Sequence, residues 1–542
     1  MNNLSALSYV KFPASLAAFV FWLLVIFAVW VQVTFISYPG FWLVDEEMAA
    51  HSIGHAAYID NWLVTGEGHP NSYYQYLHPG VPLQLICWII YRLTAPNPFA
   101  APHGIFTDHL TNPEPFHLAT QFAGLGITVL GHFLLYRRAA NAGALATFVA
   151  LALPATNFGN WTVSFWRLDS DTFSLPLACA LIAVMKCAFS EGSLRPWFWL
   201  GFLLALAYLT KLNHISWSVG CIVGYSVWCL VKQRPWRVRL TALASGAGGF
   251  LFSSALGAIV LGRDQFFRMI EFQFKVATHT GSYGEGDAGL GLLSSLDKGL
   301  PSDPAFMIAL LLAPAIGLVA WTKRRSREWV SANLPEAAML SVSLLVGVVI
   351  LVRHPMPHYF VPAASLLPFA ALWILNFCPR RARQAFLIAP AMALLLAKQS
   401  WETASVRTLT AVERQAEIDM VRALPLEQGE LRLWSFKVPA AEYIRRFIVQ
   451  LSGVRELSQP LDKLQPQDHE FNVWRKMVRI SNVWHKVEAL PWRVAIFDRR
   501  YFETQADLPG QFRSLKMKIT SGTYFIRVER SSDDTSTEAT GG

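Results

Sequence analysis

The sequence predicts a polytopic α-helical membrane protein, with about eleven transmembrane helices, followed by a small C-terminal α/β domain outside the membrane. Three observations predict it. Only 15% of the 542 residues are charged while 53% are hydrophobic, against the roughly 25% charge of an average soluble domain. Apolar runs near the roughly 20 residues that a bilayer demands recur along about the first 400 positions. Lys and Arg gather in short clusters between alternate runs, as cytoplasmic anchors do. The formal net charge of +9 resides largely in those clusters, so it reports membrane orientation and not a nucleic-acid partner.

The runs fall at 14–36, 116–136, 142–158, 173–189, 197–210, 215–231, 240–261, 305–321, 337–352, 359–378 and 385–397. The first is too long for a signal-peptide core and lacks a small-residue cleavage pattern after it, so it reads as a retained span. The basic clusters are Arg137/Arg138, Lys186 with Arg195, Lys232/Arg234/Arg237/Arg239, Lys323/Arg324/Arg325/Arg327 and Arg380/Arg381/Arg383. The opposite side is nearly bare of them: the 41–115 stretch holds one Arg and seven acidic residues. The positive-inside rule therefore puts the N-terminus in the cytoplasm and the acidic loop outside a bacterial inner or plasma membrane. With eleven spans, the tail from about residue 398 is outside as well. All six cysteines lie in apolar stretches and no CxxC occurs, which argues against a disulfide framework and a thiolate zinc site.

Three regions follow. Residues 1–400 form the transmembrane domain, and its 41–115 loop contains a helix over 46–64 and an apolar one over 81–93. The second is too short to span, and it reads as an interfacial helix with Trp88, Tyr91 and Arg92 at headgroup depth. Residues 401–530 change to a mixed, charged composition, with strands at 431–436, 493–497 and 524–528 and a helix over 440–451. Residues 531–542 are polar and small, and are expected to be disordered.

Four clusters carry the residue types that chemistry needs. Asp45-Glu46-Glu47 follows the first span; acids at a membrane boundary are costly unless they face water, a cation or a substrate. A carboxylate there can take a proton from an acceptor hydroxyl or ligate a divalent cation; the competing reading is ordinary acidity near a helix N-terminus. Tyr76-Leu77-His78-Pro79-Gly80 opens the interfacial helix, with Pro79 and Gly80 making a turn from which His78 points. Arg167-Leu168-Asp169-Ser170-Asp171 precedes the fourth span. Its two carboxylates could ligate a metal and Arg167 a phosphate, or one acid could simply cap the helix. Arg353-His354-Pro355-Met356-Pro357-His358-Tyr359 links the ninth and tenth spans. An outer Arg breaks the positive-inside pattern and needs an anionic partner, and guanidinium matches phosphate bidentately. Lys211, in the turn at 210–214, is a second such exception. All four clusters map to one membrane face, the arrangement expected for moving a group from a phosphate leaving group to a hydroxyl. A GxGxxG match at Gly284–Gly289 lacks the strand–turn–helix context of a nucleotide site.

A DE pair after the first span, HPG at 78–80, RLDSD at 167–171, LTK at 209–211 and HYFVPAASLLP at 358–368 together resemble the GT-C membrane glycosyltransferases of the protein-O-mannosyltransferase and aminoarabinose-transferase type. The resemblance covers about residues 10–400. It implies a polyprenyl-phosphate-linked sugar as donor, a hydroxyl-bearing acceptor (protein, lipid or glycan), and transfer on the outer face. It implies Asp45 as catalytic base with Glu46 in support, and Asp169 or Asp171 at the second acidic position. It also places Lys211, Arg353 and His358 by the donor phosphate, with His78, Arg167, His354 and Tyr359 as further substrate contacts. No organic cofactor is implied; a divalent metal would draw on Asp45, Asp169 and Asp171. HPG stands where the aminoarabinose branch commonly has HPP, and the tail has no recognisable acceptor motif. The rival class is a multi-pass transporter or flippase of lipid-linked saccharides, which places ionisable or broken-helix features near mid-membrane, often in internal repeats.

Overall fold

The computed structural model describes residues 46–66, 80–142, 144–157, 168–190, 193–277, 304–353, 357–377, 409–410, 412–435, 438–452, 458–472, 475–480, 483–504 and 518–530, with scattered positions between 18 and 33. The runs at 385–397 and 531–542, and the GxGxxG match, lie outside the described residues. The chain divides into two compact units: Met1–Thr34, Leu77–Leu83 and Thr120–Ala404 form one, and Phe35–Tyr76, Gln84–Ala119 and Ser405–Gly542 the other. The helices of the 41–115 loop thus group largely with the C-terminal domain.

The first loop and its surroundings supply α1 (Glu46–Thr65), α2 (Val81–Thr94) and α3 (Pro102–Thr111). The membrane domain continues through α4 (Glu114–Ala139), α5 (Ala144–Ala152), α6 (Ser174–Ser190), α7 (Arg195–Thr210), α8 (Ile215–Val231), α9 (Trp236–Leu261), α10 (Arg263–Ala277), α11 (Pro304–Lys323), α12 (Arg327–Arg353), α13 (Val361–Ala364) and α14 (Leu367–Phe377). Seven helical segments among the described residues are long and apolar enough to cross a membrane: Glu114–Ala139, Ser170–Ser190, Leu212–Val231, Trp236–Leu261, Pro304–Lys323, Arg327–Val352 and His358–Phe377. Each coincides with an expected run, so this is a multi-pass membrane protein. Two other runs are shorter than a span. α7 has 16 residues, and the 142–158 run is interrupted where Pro154 opens a 3-10 turn, Pro154–Thr156, because proline has no N–H for the helix ladder.

Burial orders the bundle. The His358–Phe377 segment is 89% enclosed by protein, whereas Trp236–Leu261 is 17% enclosed and turns its apolar surface outward. Trp217 and Trp228 on α8 are fully buried, and their indoles donate to Pro362 O and Phe189 O at 3.0 Å. α7 and α9 touch backbone to backbone. A Cβ on Gly249 would sit 1.9 Å from Phe198 O, and one on Gly201 1.8 Å from Gly246 O. Small residues permit this approach where lipid gives helices no hydrophobic drive to associate.

The second unit holds a seven-stranded sheet of order β4-β3-β2-β1-β5-β7-β6. Its strands are β1 (Leu431–Ser435), β2 (Asp468–Asn472), β3 (Met477–Ile480), β4 (Val483–Lys486), β5 (Trp492–Asp498), β6 (Lys518–Ser521) and β7 (Phe525–Glu529). β1 runs parallel to β2 and β5, and the remaining pairings are antiparallel. The return from β1 to β2 passes through α15 (Ala441–Ser452) and α16 (Ser458–Leu464), the crossover that parallel strands require. Leu433, Phe471, Val478, Ala495, Phe497, Ile526 and Val528 form the core on the sheet. α1 packs against α15, and the Arg445 guanidinium donates to Leu110 O at 2.8 Å at the end of α3.

Candidate functional site

Three spans of the membrane domain do not begin as α-helix. Short 3-10 turns precede α6 (Ser170–Phe173), α8 (Leu212–His214) and α13 (Pro357–Phe360), and side-chain hydrogen bonds tie these turns together. A 3-10 turn is tighter than an α-turn, and Pro362 has no N–H to give the carbonyl four residues before it, that of His358. Lys211 donates to that carbonyl and Asn213 to the next, Tyr359 O.

The centre is an ion pair. Lys211 Nζ lies 2.8 and 2.7 Å from the two carboxylate oxygens of Asp171, whose side chain is 1% exposed against 14% for Lys211. The same ammonium donates to His358 O at 3.2 Å and stands 5.7 Å from the Tyr359 ring centroid. Asn213 Nδ2 donates to Tyr359 O at 3.1 Å. His214 closes the arrangement, with Nδ1 3.1 Å from Lys211 O and Nε2 3.1 Å from the buried Ser174 hydroxyl. Lys211 O can only accept, so Nδ1 carries the hydrogen, and Nε2 of the neutral ring accepts from Ser174. The His214 ring meets Trp217 edge-on at 4.5 Å. Asp169 has a different task from Asp171. It closes a capping box with Thr172 and accepts from Ser170 Oγ at 2.8 Å, so it starts the turn that presents Asp171.

Gly80 joins the start of α2 to this region. Its N–H donates to Leu209 O at 2.7 Å, two residues before Lys211, and its φ of +137° is one that side chains rarely adopt. Gly80 thus holds a backbone conformation that glycine suits, while the rest of the HPG triplet lies outside the described residues.

The sequence candidates divide as follows. Asp169, Asp171, Lys211, His358 and Tyr359 come together as described. Glu46 opens α1 and Arg353 ends α12, and nothing is described of either side chain. Asp45, His78, Arg167 and His354 lie outside the described residues. The sequence reading did not single out Asn213, His214 or Ser174 as site residues. Their signal was weak: Asn213 and His214 flank no acid in sequence, and Ser174 looks like the first residue of an apolar helix. Among the described residues, no group of three or more His, Cys, Asp or Glu is gathered to hold a metal ion. Of the candidate ligands, Asp171 faces an ammonium and Asp169 a hydroxyl.

A second polar cluster lies in the other unit. Asp60, fully buried on α1, accepts from Trp88 Nε1 at 2.9 Å and pairs with Arg92 Nε, both on α2. Arg92 also donates to Pro98 O at 2.9 Å and Ala100 O at 3.0 Å, which fixes the turn leading to α3. Trp88 and Arg92, two of the three residues expected at headgroup depth, therefore turn toward Asp60. Tyr91 is fully buried, and burial, then the Asp60 charge, raises its phenol well above its ordinary pKa, so it stays protonated. In the C-terminal domain, burial lowers His469 to about 4 and raises Asp468 and Glu470 above the usual carboxylate range.

No family model and no curated protein sequence matches this chain. Several solved structures are similar to it, two of them as follows. ArnT from Cupriavidus metallidurans in the apo state aligns over 89% of this chain and 93% of its own, at 14% identity and a TM-score of 0.46. ArnT from the same organism bound to undecaprenyl phosphate aligns over 92% and 98%, at 14% identity and a TM-score of 0.47.

Proposed function

We propose that this chain is a glycosyltransferase that moves a sugar from a polyprenyl-phosphate carrier to a hydroxyl acceptor at the outer face of the membrane. The observation that carries the reading is Lys211 on Asp171, an ammonium held at the ends of three spans where the positive-inside pattern disfavours a cation. Such an ammonium suits an anionic lipid phosphate, and Asp171 keeps it oriented while the site is empty of substrate charge. The motif order from Asp45 to Pro368 supports the same reading.

In the proposed reaction Asp45 takes the proton of the acceptor hydroxyl. The acceptor oxygen forms a bond to the anomeric carbon, and the bond from that carbon to the phosphate oxygen breaks. Lys211 and Arg353 stabilise the departing polyprenyl phosphate. Preorganised charge of this kind is often the largest catalytic contribution, and a general base adds on the order of 10²–10⁴-fold. The activated donor arrives through the bilayer, so no nucleotide is needed. The N-terminus is proposed to be cytoplasmic and the C-terminal domain extracytoplasmic.

The experiment is label transfer from a radiolabelled polyprenyl-phosphate sugar to an envelope extract by purified protein in detergent. Wild type should transfer label, and Asp45→Asn should lose roughly 10²-fold or more at an unchanged expression level. Turnover by Asp45→Asn at the wild-type rate removes Asp45 from the mechanism.

A further inference from the structure

α10 follows the α9 span directly, after Gly262 turns the chain with a φ of +81°. Gln273 on this helix is 2% exposed, and neither its carbonyl oxygen nor its amide nitrogen has a hydrogen-bond partner among the described residues. Gln265, two turns earlier and 6% exposed, leaves its Oε1 in the same condition. Buried polar groups are nearly always paired, and an orphaned one calls for a physical reason. The helical period sets Gln265, Met269 and Gln273 on one face. Met269 and Phe266 pack there with Val81, Leu209 and Leu261. Leu209 is the residue whose carbonyl receives Gly80, two positions before Lys211. Gln265 and Gln273 therefore share the helix face that packs, through Phe266 and Met269, against Leu209, two positions before Lys211 and within the same compact unit.

We infer that Gln273, with Gln265 two turns away on the same face, is a specificity-determining contact to the hydroxyl groups of the sugar on the polyprenyl phosphate, an inference that rests on the function proposed above. A carboxamide offers two donors and an acceptor, which suits neighbouring hydroxyls that both give and receive hydrogen bonds. A phosphate alone would call for cations, which α10 does not place on this face. Leucine matches glutamine closely in size, so a structural role and a recognition role separate cleanly.

The test is binding to purified full-length protein of two probes, a polyprenyl-phosphate sugar and the bare polyprenyl phosphate. Gln273→Leu should lose roughly ten- to a hundredfold in affinity for the sugar-bearing lipid and keep wild-type affinity for the bare one. Its thermal midpoint should hold or rise, because an unpaired buried amide has been removed. Gln265→Leu should show the same split at smaller size, and it carries the test if Gln273→Leu does not fold. Equal loss for both lipids, or no loss for either, overturns the assignment of Gln273 and leaves the proposed transferase standing. Wild-type protein that binds neither lipid sinks the transferase reading and this inference with it.

Discussion

Replacing Lys211 by Met should destabilise the membrane domain severely, and a second substitution should undo most of the damage. At 2.7 Å and an effective dielectric of about 20, the pair attracts by roughly 6 kcal/mol. Desolvating two ions costs several kcal/mol each, so the intact pair contributes little net stability. The single substitution is a different matter. It leaves Asp171, with a side chain 1% exposed, as an uncompensated buried charge, at a cost of about 3–5 kcal/mol. It also strips His358 O of its donor. Lys211→Met with Asp171→Leu removes both charges and should return to within about 1–2 kcal/mol of wild type. Thermal or urea unfolding in one detergent, run as a double-substitution cycle with Asp171→Leu alone, reads the coupling directly. A Lys211→Met protein as stable as wild type, or additive losses in the double variant, refutes a buried, mutually dependent pair. The double variant should fold yet fail to transfer sugar.

Other perturbations test the frame around the site. Asp60→Ala leaves Arg92 and Trp88 without their shared acceptor and should cost about 3–5 kcal/mol, seen as faster hydrogen exchange in Glu46–Thr65 and Val81–Thr94; unchanged exchange would show that the pair holds nothing. Gly249→Ala forces a Cβ to within 1.9 Å of Phe198 O, whereas Gly248→Ala meets nothing within 4 Å. The first should lose about 1–3 kcal/mol in thermal unfolding and the second should be neutral or slightly stabilising. His469, lowered to about 4 by burial, takes up a proton in the unfolded chain near pH 6.5 but not in the folded one. Its contribution is therefore intact above about pH 6.5 and falls away toward pH 4, by up to roughly 3 kcal/mol. Asp468 and Glu470, raised by burial, act with the opposite sign as pH climbs from about 4. His469→Gln isolates the histidine part: pulse proteolysis of the C-terminal domain should show a flatter acid limb than wild type between pH 6.5 and 4.5.

The parts of the fold that were legible in the sequence are those whose solvent is unambiguous. Seven spans matched their runs because hydropathy over a bilayer's thickness is a strong signal, and β1, β5 and β7 were read because Leu433, Val494, Ile496 and Ile526 are buried, apolar strand residues. β2 was missed because His469 and Glu470 put buried polar side chains into a central strand, the reverse of the expected pattern. The runs at 197–210 and 142–158 are the weaker signals, the first because it is short and the second because Pro154 interrupts its helix. In the site, Asp169 and Asp171 are alike in sequence. Only the 3-10 geometry assigns one to the cap and the other to Lys211. Asn213 donates to the Tyr359 carbonyl and His214 meets the Ser174 hydroxyl, both far away in sequence, and no local pattern encodes that.

The central claim is that a glycosidic bond to phosphate is broken here, and the product lipid reports it. Proteoliposomes holding the purified protein and a labelled polyprenyl-phosphate sugar, given an envelope extract, should accumulate free polyprenyl phosphate by mass spectrometry, one for each sugar transferred. Recovery of the sugar-lipid intact, but moved to the opposite leaflet, would contradict the account and make the chain a carrier.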